Sequence, residues 1–254
     1  MFRKKALFFI ILFAFVLRSG FVLFYFDEHK FYGYEYGTND THRPIGDDQR
    51  YIEIAMNLID GNGFPVIYEK PPHSQDFRRG PLYLLFLASI FKIFGFNVLM
   101  ICLTQALVSS LSIYFICKIA DHYFGKKTAF ISALIWTVYP ATILWTMAIY
   151  RETLTIFLIL WTTWSFIRLR KKQTWRYSII SGSALSMLLL LDPFTQVLIP
   201  VYLIFLWVTP QFIDPLRTII YRYWGAFYIN TKRKLLISGL VIGTAVLLLL
   251  PWLM

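Results

Sequence analysis

The feature that most constrains this chain is an N-terminal run of about 20 apolar residues, long enough to cross a lipid bilayer as one helix. The run covers residues 6–26 and follows Arg3, Lys4 and Lys5. It contains Arg18 and lacks a small-residue cleavage site, so the sequence favours a spanning helix over a removable signal peptide. Because backbone groups in lipid must bond to one another, such runs are typical of helices that stay in the membrane.

Similar runs recur along the whole chain, which is 57% hydrophobic and only 15% charged. A soluble domain carries about 25% charged residues, so the composition is that of a lipid-embedded protein. We predict an all-α integral membrane protein that forms a single module over residues 1–254, with about seven transmembrane helices. The fifth and sixth spans are short and interrupted by Pro193 and Pro200, so tilted helices, broken helices or one hairpin all fit. The predicted spans are residues 6–26, 99–120, 128–146, 153–168, 178–191, 196–209 and 235–254.

The placement of the charges predicts the orientation. The formal net charge is +11, but the basic residues lie mainly in short segments between apolar runs, which argues against a nucleic-acid partner. With the N-terminus in the cytoplasm, the inner segments hold most of the 25 basic residues, as membrane proteins prefer. Most acidic residues then fall on the opposite side. We therefore expect polar chemistry at the outer face, with membrane lipids as neighbours.

The outer loop, residues 27–98, is predicted to contain two surface helices. Residues 47–60 show apolar positions at helical spacing, and Gly61 and Gly63 end the run. Residues 81–95 form a second apolar helix that is too short to span, so we place it against the outer surface.

Acidic and basic residues in this loop are the candidates for chemistry. Asp47 and Asp48 lie at the N-terminus of the first surface helix, where a carboxylate serves either as a helix cap or as a catalytic base or metal ligand. Arg78 and Arg79 precede the second surface helix. Two readings stay open for them: contact with ordinary lipid headgroups, or a bidentate grip on a lipid-linked phosphate.

Glu152 is a further candidate, at the outer end of the fourth predicted span. It either flanks the membrane or projects into the same outer cavity as Asp47. The four histidines show no zinc-ligand spacing, so we predict no metal site. A divalent cation held by distant residues stays an open alternative.

The motifs, in this order, resemble a known family. The aspartate four residues before Tyr51 leads into IEIAMNLIDGNGF, and RRGPLYLLFLASIFKIFG follows. Then come TQALVSSLSIYFICKIADHYFGKKTAFISALIWTVYP, RETL and finally LLLLPW. The whole is similar to the polyprenyl-phosphate-dependent membrane glycosyltransferases of the GT-C fold, in particular the dolichyl-phosphate-mannose–protein mannosyltransferase-like proteins and their aminoarabinose-transferase relatives.

The resemblance implies a helical membrane domain that transfers a sugar from a polyprenyl-phosphate carrier to an acceptor (lipid, glycan or protein) at the outer face. Asp47 matches the family's first-loop catalytic aspartate, with Asp48 as the neighbouring alternative. Arg79, next to Arg78, matches a basic residue expected at the carrier phosphate. Glu152 matches an acidic position at the start of the fourth span. The location implied is the bacterial inner (plasma) membrane of the cell envelope.

Two departures from the family keep other functions open. Relatives commonly carry a basic residue near the outer end of the fifth span, where this chain has Asp192 and Pro193. Relatives also continue beyond the Pro-Trp pair at 251–252, so this sequence is expected to be a minimal enzyme, one part of a split enzyme with a partner subunit, or a truncated product. The alternatives are a non-catalytic scaffold or subunit of a glycosyltransferase complex, and a lipid transporter, which the acids at the outer face disfavour.

Overall fold

A computed structural model of the chain describes residues 4–26, 47–63, 80–207 and 223–253, and every regular element in those ranges is helical. The all-α prediction is therefore confirmed. The helices are α1 (Lys4–Tyr25), α2 (Asp47–Ile59), α3 (Pro81–Phe94), α4 (Val98–Val138), α5 (Pro140–Leu144), α6 (Glu152–Lys172), α7 (Trp175–Leu191), a 3₁₀ helix (Pro193–Val197), α8 (Leu198–Trp207) and α9 (Tyr223–Leu253).

Among the described residues, three helical segments are long and apolar enough to cross a membrane by length and composition: Lys5–Tyr25, Val98–Val138 and Lys232–Pro251. Shorter apolar helices cover Pro81–Phe94, Trp175–Leu191 and Pro193–Trp207. The membrane character of the chain is supported, while the count of seven spans stays a prediction. Large side chains on the first segment face outward, among them Phe9 at 62% and Phe24 at 82% exposure, as lipid-facing residues do.

Helix α4 contains the boundary that the sequence predicts between the second and third spans. Gly125 has φ 83° and ψ 176° inside it, so the helix direction changes there, and the positive φ suits a residue without a Cβ. The predicted third span, 128–146, is not one continuous helix. Helix α4 ends at Val138, and a new short helix begins at Pro140, because proline lacks the N–H that would continue the ladder.

Both surface helices of the outer loop form close to their predicted bounds. Helix α2 ends at Ile59, and Gly61 and Gly63 follow with φ of 81° and 71°. Helix α3 begins with Pro81 in its first turn and ends at Gly95, whose φ is 72°. Proline at the start and glycine just past the end are the usual boundaries of a helix, which is why the sequence located this one well.

The chain divides into two compact units, residues 1–160 and 161–254. In the first unit, α1 packs along α4, α2 packs on α3, and α3 contacts α4. Small residues allow α1 and α4 to approach closely, because Ala14, Ala129 and Ala133 are fully buried between them. The rest of this core cluster is formed by Leu7, Ile113, Cys117 and Ala120.

In the second unit, α7 packs along α9 with a glycine at the contact. A Cβ added at Gly182 would lie 2.7 Å from the carbonyl oxygen of Val241 and 2.8 Å from Cβ of Thr244. The two helices therefore meet at a distance that only glycine permits. Below this contact, Tyr202 of α8 stacks on Phe166 with ring centroids 4.7 Å apart, in a core that also contains Leu169, Leu185, Leu206 and Ile237.

Candidate functional site

The two candidate aspartates open helix α2, as the sequence predicts. Asp47 is its first residue and Asp48 its second. The side chain of Asp48 is half-buried, whereas that of Asp47 lies outside the described part of the chain. The unpaired backbone N–H groups of a first helical turn stabilise a negative charge.

The candidate phosphate-binding residues Arg78 and Arg79 lie outside the described residues. The structure describes the residues that follow them. Gly80 is extended, with φ −63° and ψ 137°, and Pro81 starts helix α3. In the sequence, the arginine pair stands just before this helix N-terminus, which itself carries a partial positive charge.

Tyr83, one turn into α3, links the surface helices to the rest of the first unit. Its ring meets Tyr51 of α2 edge-on, with centroids 4.9 Å apart and an interplanar angle of 83°. Both rings are buried, Tyr83 completely. Such edge-to-face pairs contribute about 0.5–1.5 kcal/mol beyond their area burial, so this contact fixes α2 on α3.

The surroundings of the Tyr83 hydroxyl bring two predicted site residues into one neighbourhood. Burial raises the pKa of Tyr83 well above its ordinary value, and electrostatic repulsion from nearby acidic groups raises it further. Those groups are, in order of effect, Tyr51, Glu152, Cys102 and Asp48. The acids from the start of α2 and from the start of α6 therefore both act on one buried phenol.

Glu152 is the first residue of α6, which confirms its predicted place at the start of a helix. Its carboxylate is half-buried, and atom Oε2 is fully buried without a hydrogen-bond partner among the described residues. A buried carboxylate oxygen that lacks a donor is costly, so this atom is poised to accept a hydrogen bond.

The segment before Glu152 is held in place by α4. Gln105, fully buried, donates from Nε2 to the carbonyl oxygens of Ala148 at 2.9 Å and Thr146 at 3.5 Å. One turn earlier, the Sγ of Cys102 lies 3.6 Å from the carbonyl oxygen of Met147. These bonds satisfy a non-helical backbone stretch and so determine where α6 begins.

Arg18, which the sequence places deep in the first span, is fully buried and bonded to five neutral acceptors. Nη2 donates to the carbonyl of Trp136 at 2.9 Å, and Nη1 donates to the carbonyl of Thr137 at 3.1 Å. No acid is among its partners in the ranges the structure describes. The remaining bonds go to Ser109 Oγ, Thr142 Oγ1 and the Ala14 carbonyl.

A small cavity is lined by two of the residues that bond Arg18. Its wall includes the hydroxyl-bearing residues Ser109 and Thr142, which bond Arg18, and Thr153, the neighbour of Glu152. Thr153 is fixed by donation to the carbonyl of Trp145 at 3.2 Å. The segment before α6 and the first turn of α6 are therefore held by two contacts, one from Gln105 of α4 and one from Thr153.

Asp192 lies in the second unit and serves as a helix cap. Its side chain accepts a hydrogen bond from the backbone N–H of Phe194 at 3.1 Å, and Pro193 occupies the first turn of the 3₁₀ helix. The short fifth and sixth predicted spans are thus two helices joined by a capped 3₁₀ turn.

A divalent cation would need a cluster of ligands. Within the described ranges, no group of three or more His, Cys, Asp or Glu residues lies close enough to hold a metal ion.

The sequence did not single out Tyr83 or Gln105. In the sequence, Tyr83 is one aromatic residue of an apolar helix, and its hydroxyl is notable only because burial leaves it without a partner among the described residues. Gln105 carried a clearer signal, because it is a polar amide inside a long apolar run, where such residues face protein and form hydrogen bonds.

Comparison with known families gives a match for more than half of the chain. The model described as "Dolichyl-phosphate-mannose-protein mannosyltransferase" matches residues 78–229, which begins at Arg78 and includes Tyr83, Gln105 and Glu152. Asp47 and Asp48 lie before the matched range. No curated protein and no solved structure matches the chain.

Proposed function

The chain belongs to the dolichyl-phosphate-mannose-protein mannosyltransferase family of GT-C-type membrane glycosyltransferases, and we propose that it transfers a sugar from a polyprenyl-phosphate donor to an acceptor at the outer face of the membrane. The observation that supports this most is that acids from two helix starts, Asp48 on α2 and Glu152 on α6, both act electrostatically on the buried Tyr83. Carboxylates near the start of the arginine-led helix α3 are what such a transfer requires.

The chemistry assigns one role to each candidate. Asp47 accepts the proton of an acceptor hydroxyl, and the resulting nucleophile attacks the anomeric carbon of the donor. The bond from that carbon to the phosphate oxygen breaks, and the polyprenyl phosphate leaves with its electron pair. Arg79, with Arg78, neutralises the negative charge that develops on the phosphate. Asp48 is the alternative base, and Glu152 lines the sugar side.

The orientation proposed is a cytoplasmic N-terminus in a bacterial inner membrane, with the site outside. Its support is the distribution of charge in the described part of the second unit, where Asp192 is the sole acid and basic residues cluster where α6 ends and α7 begins. Short loops rich in lysine and arginine stay in the cytoplasm. These basic residues are Arg168, Arg170, Lys171, Lys172 and Arg176, and Arg233 joins them by bonding the carbonyl of Gln173 at 2.9 Å.

The direct test is turnover by the purified protein in lipid nanodiscs. The protein is incubated with radiolabelled polyprenyl-phosphate mannose and with other hexose and pentose forms, and sugar transfer or donor hydrolysis is measured. Turnover supports the proposal. A well-folded preparation that neither binds nor consumes any donor contradicts it and favours a scaffold, while lipid flux across vesicles without sugar transfer favours a transporter.

A further inference from the structure

Five buried polar atoms in the first unit have no hydrogen-bond partner among the residues that the structure describes, two of them Ser19 Oγ and Trp136 Nε1. The other three lie on α3, α4 and α6. They are the hydroxyl of Tyr83 on α3, Oε1 of Gln105 on α4 and Oε2 of Glu152 on α6. Tyr83 and Gln105 are completely buried. A protein normally pairs such atoms because leaving one unpaired is costly, so three on adjoining helices require an explanation.

The three side chains belong to one neighbourhood. Glu152 and Cys102 both act electrostatically on the Tyr83 hydroxyl. Cys102 and Gln105 lie one turn apart on α4, and both contact the backbone between Thr146 and Ala148. That segment leads directly into Glu152. Cys102, Gln105 and the backbone before Glu152 therefore connect the three side chains, which stand on α3, on α4 and at the start of α6.

The hydrogen-bonding character of each atom is fixed. The two carbonyls that Gln105 contacts require its nitrogen on that side, so its oxygen is left as an acceptor. Glu152 Oε2 is an acceptor as well. Burial raises the pKa of Tyr83, and electrostatic repulsion from neighbouring acidic groups adds to this, so the phenol stays protonated and is a donor that also carries an acceptor lone pair. Together the three side chains offer two acceptors and one donor.

We propose that Tyr83, Gln105 and Glu152 form a binding site for the hydroxyl groups of the donor sugar. Sugar hydroxyls each donate one hydrogen bond and accept others, so two can donate to the amide and carboxylate oxygens while a third accepts from the phenol. The inference rests on the proposed function and adds the residues that recognise the sugar. A buried site built this way also discriminates strongly against an analogue that lacks one hydroxyl.

A purely structural role for Tyr83 predicts different behaviour. If the hydroxyl supported the fold, its removal in Tyr83→Phe would lower the melting temperature. If the hydroxyl has no partner in the absence of a donor, Tyr83→Phe without bound donor is instead at least as stable as the wild type. Tyr202→Phe is the matched control, because the Tyr202 hydroxyl bonds Thr163 Oγ1 at 2.9 Å.

The experiment measures dissociation constants of the nanodisc-embedded protein for a short-chain polyprenyl phosphate and for its hexose and pentose forms. The wild type is expected to bind the cognate sugar-loaded form more tightly than the bare phosphate. Tyr83→Phe and Glu152→Gln are each expected to reduce that preference by roughly five- to tenfold, with unchanged affinity for the bare phosphate. Tyr202→Phe should lower the melting temperature and leave the preference intact.

Each failure has its own signature. A wild type that binds the bare phosphate with no preference for any sugar-loaded form overturns this inference alone, as does an unchanged preference in both variants. A lowered melting temperature of apo Tyr83→Phe also overturns it. A wild type that binds neither form contradicts the proposed function.

Discussion

Arg18 donates a hydrogen bond to the carbonyl oxygen of Trp136 at 2.9 Å, at the position where the helix ladder is interrupted. The residue four places after Trp136 is Pro140, which has no N–H to offer. A side chain from α1 thus replaces the missing backbone donor of α4. The partial negative charge of a helix end also suits a guanidinium, which explains how a buried cation is tolerated without an acid beside it.

Replacing Arg18 with methionine should destabilise the first unit strongly. The carbonyls of Trp136 and Thr137 would lose a charged donor in a buried setting, which costs about 3 kcal/mol or more in total. The measurement is thermal or SDS-induced unfolding of the purified protein. Arg176→Met is the control, because Arg176 is exposed and lies over the ring of Trp175. A similar stability for both variants would show that Arg18 does not secure the break.

Gly182→Ala should destabilise the second unit by about 1–3 kcal/mol, because the new Cβ would overlap Val241 and Thr244 of α9. Gly239→Ala on α9 offers the matched comparison, since nothing lies within 4 Å of the added atom and alanine favours a helix by about 1 kcal/mol. Unfolding of both variants should therefore shift in opposite directions. Equal shifts would contradict the close approach of α7 and α9.

The stability of the folded protein at alkaline pH should depend on the buried phenol of Tyr83. Its pKa is raised in the folded protein, so above the ordinary tyrosine value near 10 the unfolded chain releases a proton that the folded protein keeps. Stability is therefore intact below about pH 10 and falls as pH rises, by up to about 1.4 kcal/mol per pH unit for this one group. Melting temperatures between pH 8 and 11.5 should fall less steeply for Tyr83→Phe than for the wild type, and parallel curves would count against the buried phenol.

The proposed orientation predicts which introduced cysteines react from outside the cell. Asn62, exposed after α2, should react as Asn62→Cys with a membrane-impermeant thiol reagent in intact cells. Lys171→Cys, at the end of α6, should react only after permeabilisation. The native Cys102 and Cys117 are buried, so the background is expected to be low. The reverse pattern would invert the topology and place the site in the cytoplasm.

The bounds of α2 and α3 could be predicted because glycine and proline mark helix ends by local geometry, independently of the rest of the fold. The break in the predicted third span was missed, although Pro140 is visible, because a compensating donor such as Arg18 is distant in sequence. Contacts between residues that are distant in sequence also explain which candidate site residues could be predicted and which could not. The helix starts at Asp47 and Glu152 follow from the local pattern. The burial of the Tyr83 hydroxyl and of Gln105 Oε1 without a partner depends on how the helices pack, which the sequence does not reveal.

The most direct measurement is the rate of sugar transfer or donor hydrolysis by Asp47→Asn, with Asp60→Asn, just after the other end of the same helix, as the control. As the loss of a general base, Asp47→Asn should reduce turnover by about 100-fold or more, while the folded fraction stays unchanged. Asp60→Asn should retain the wild-type rate. Turnover by Asp47→Asn at the wild-type rate, or an equal loss in Asp60→Asn, would contradict the assignment of the catalytic base.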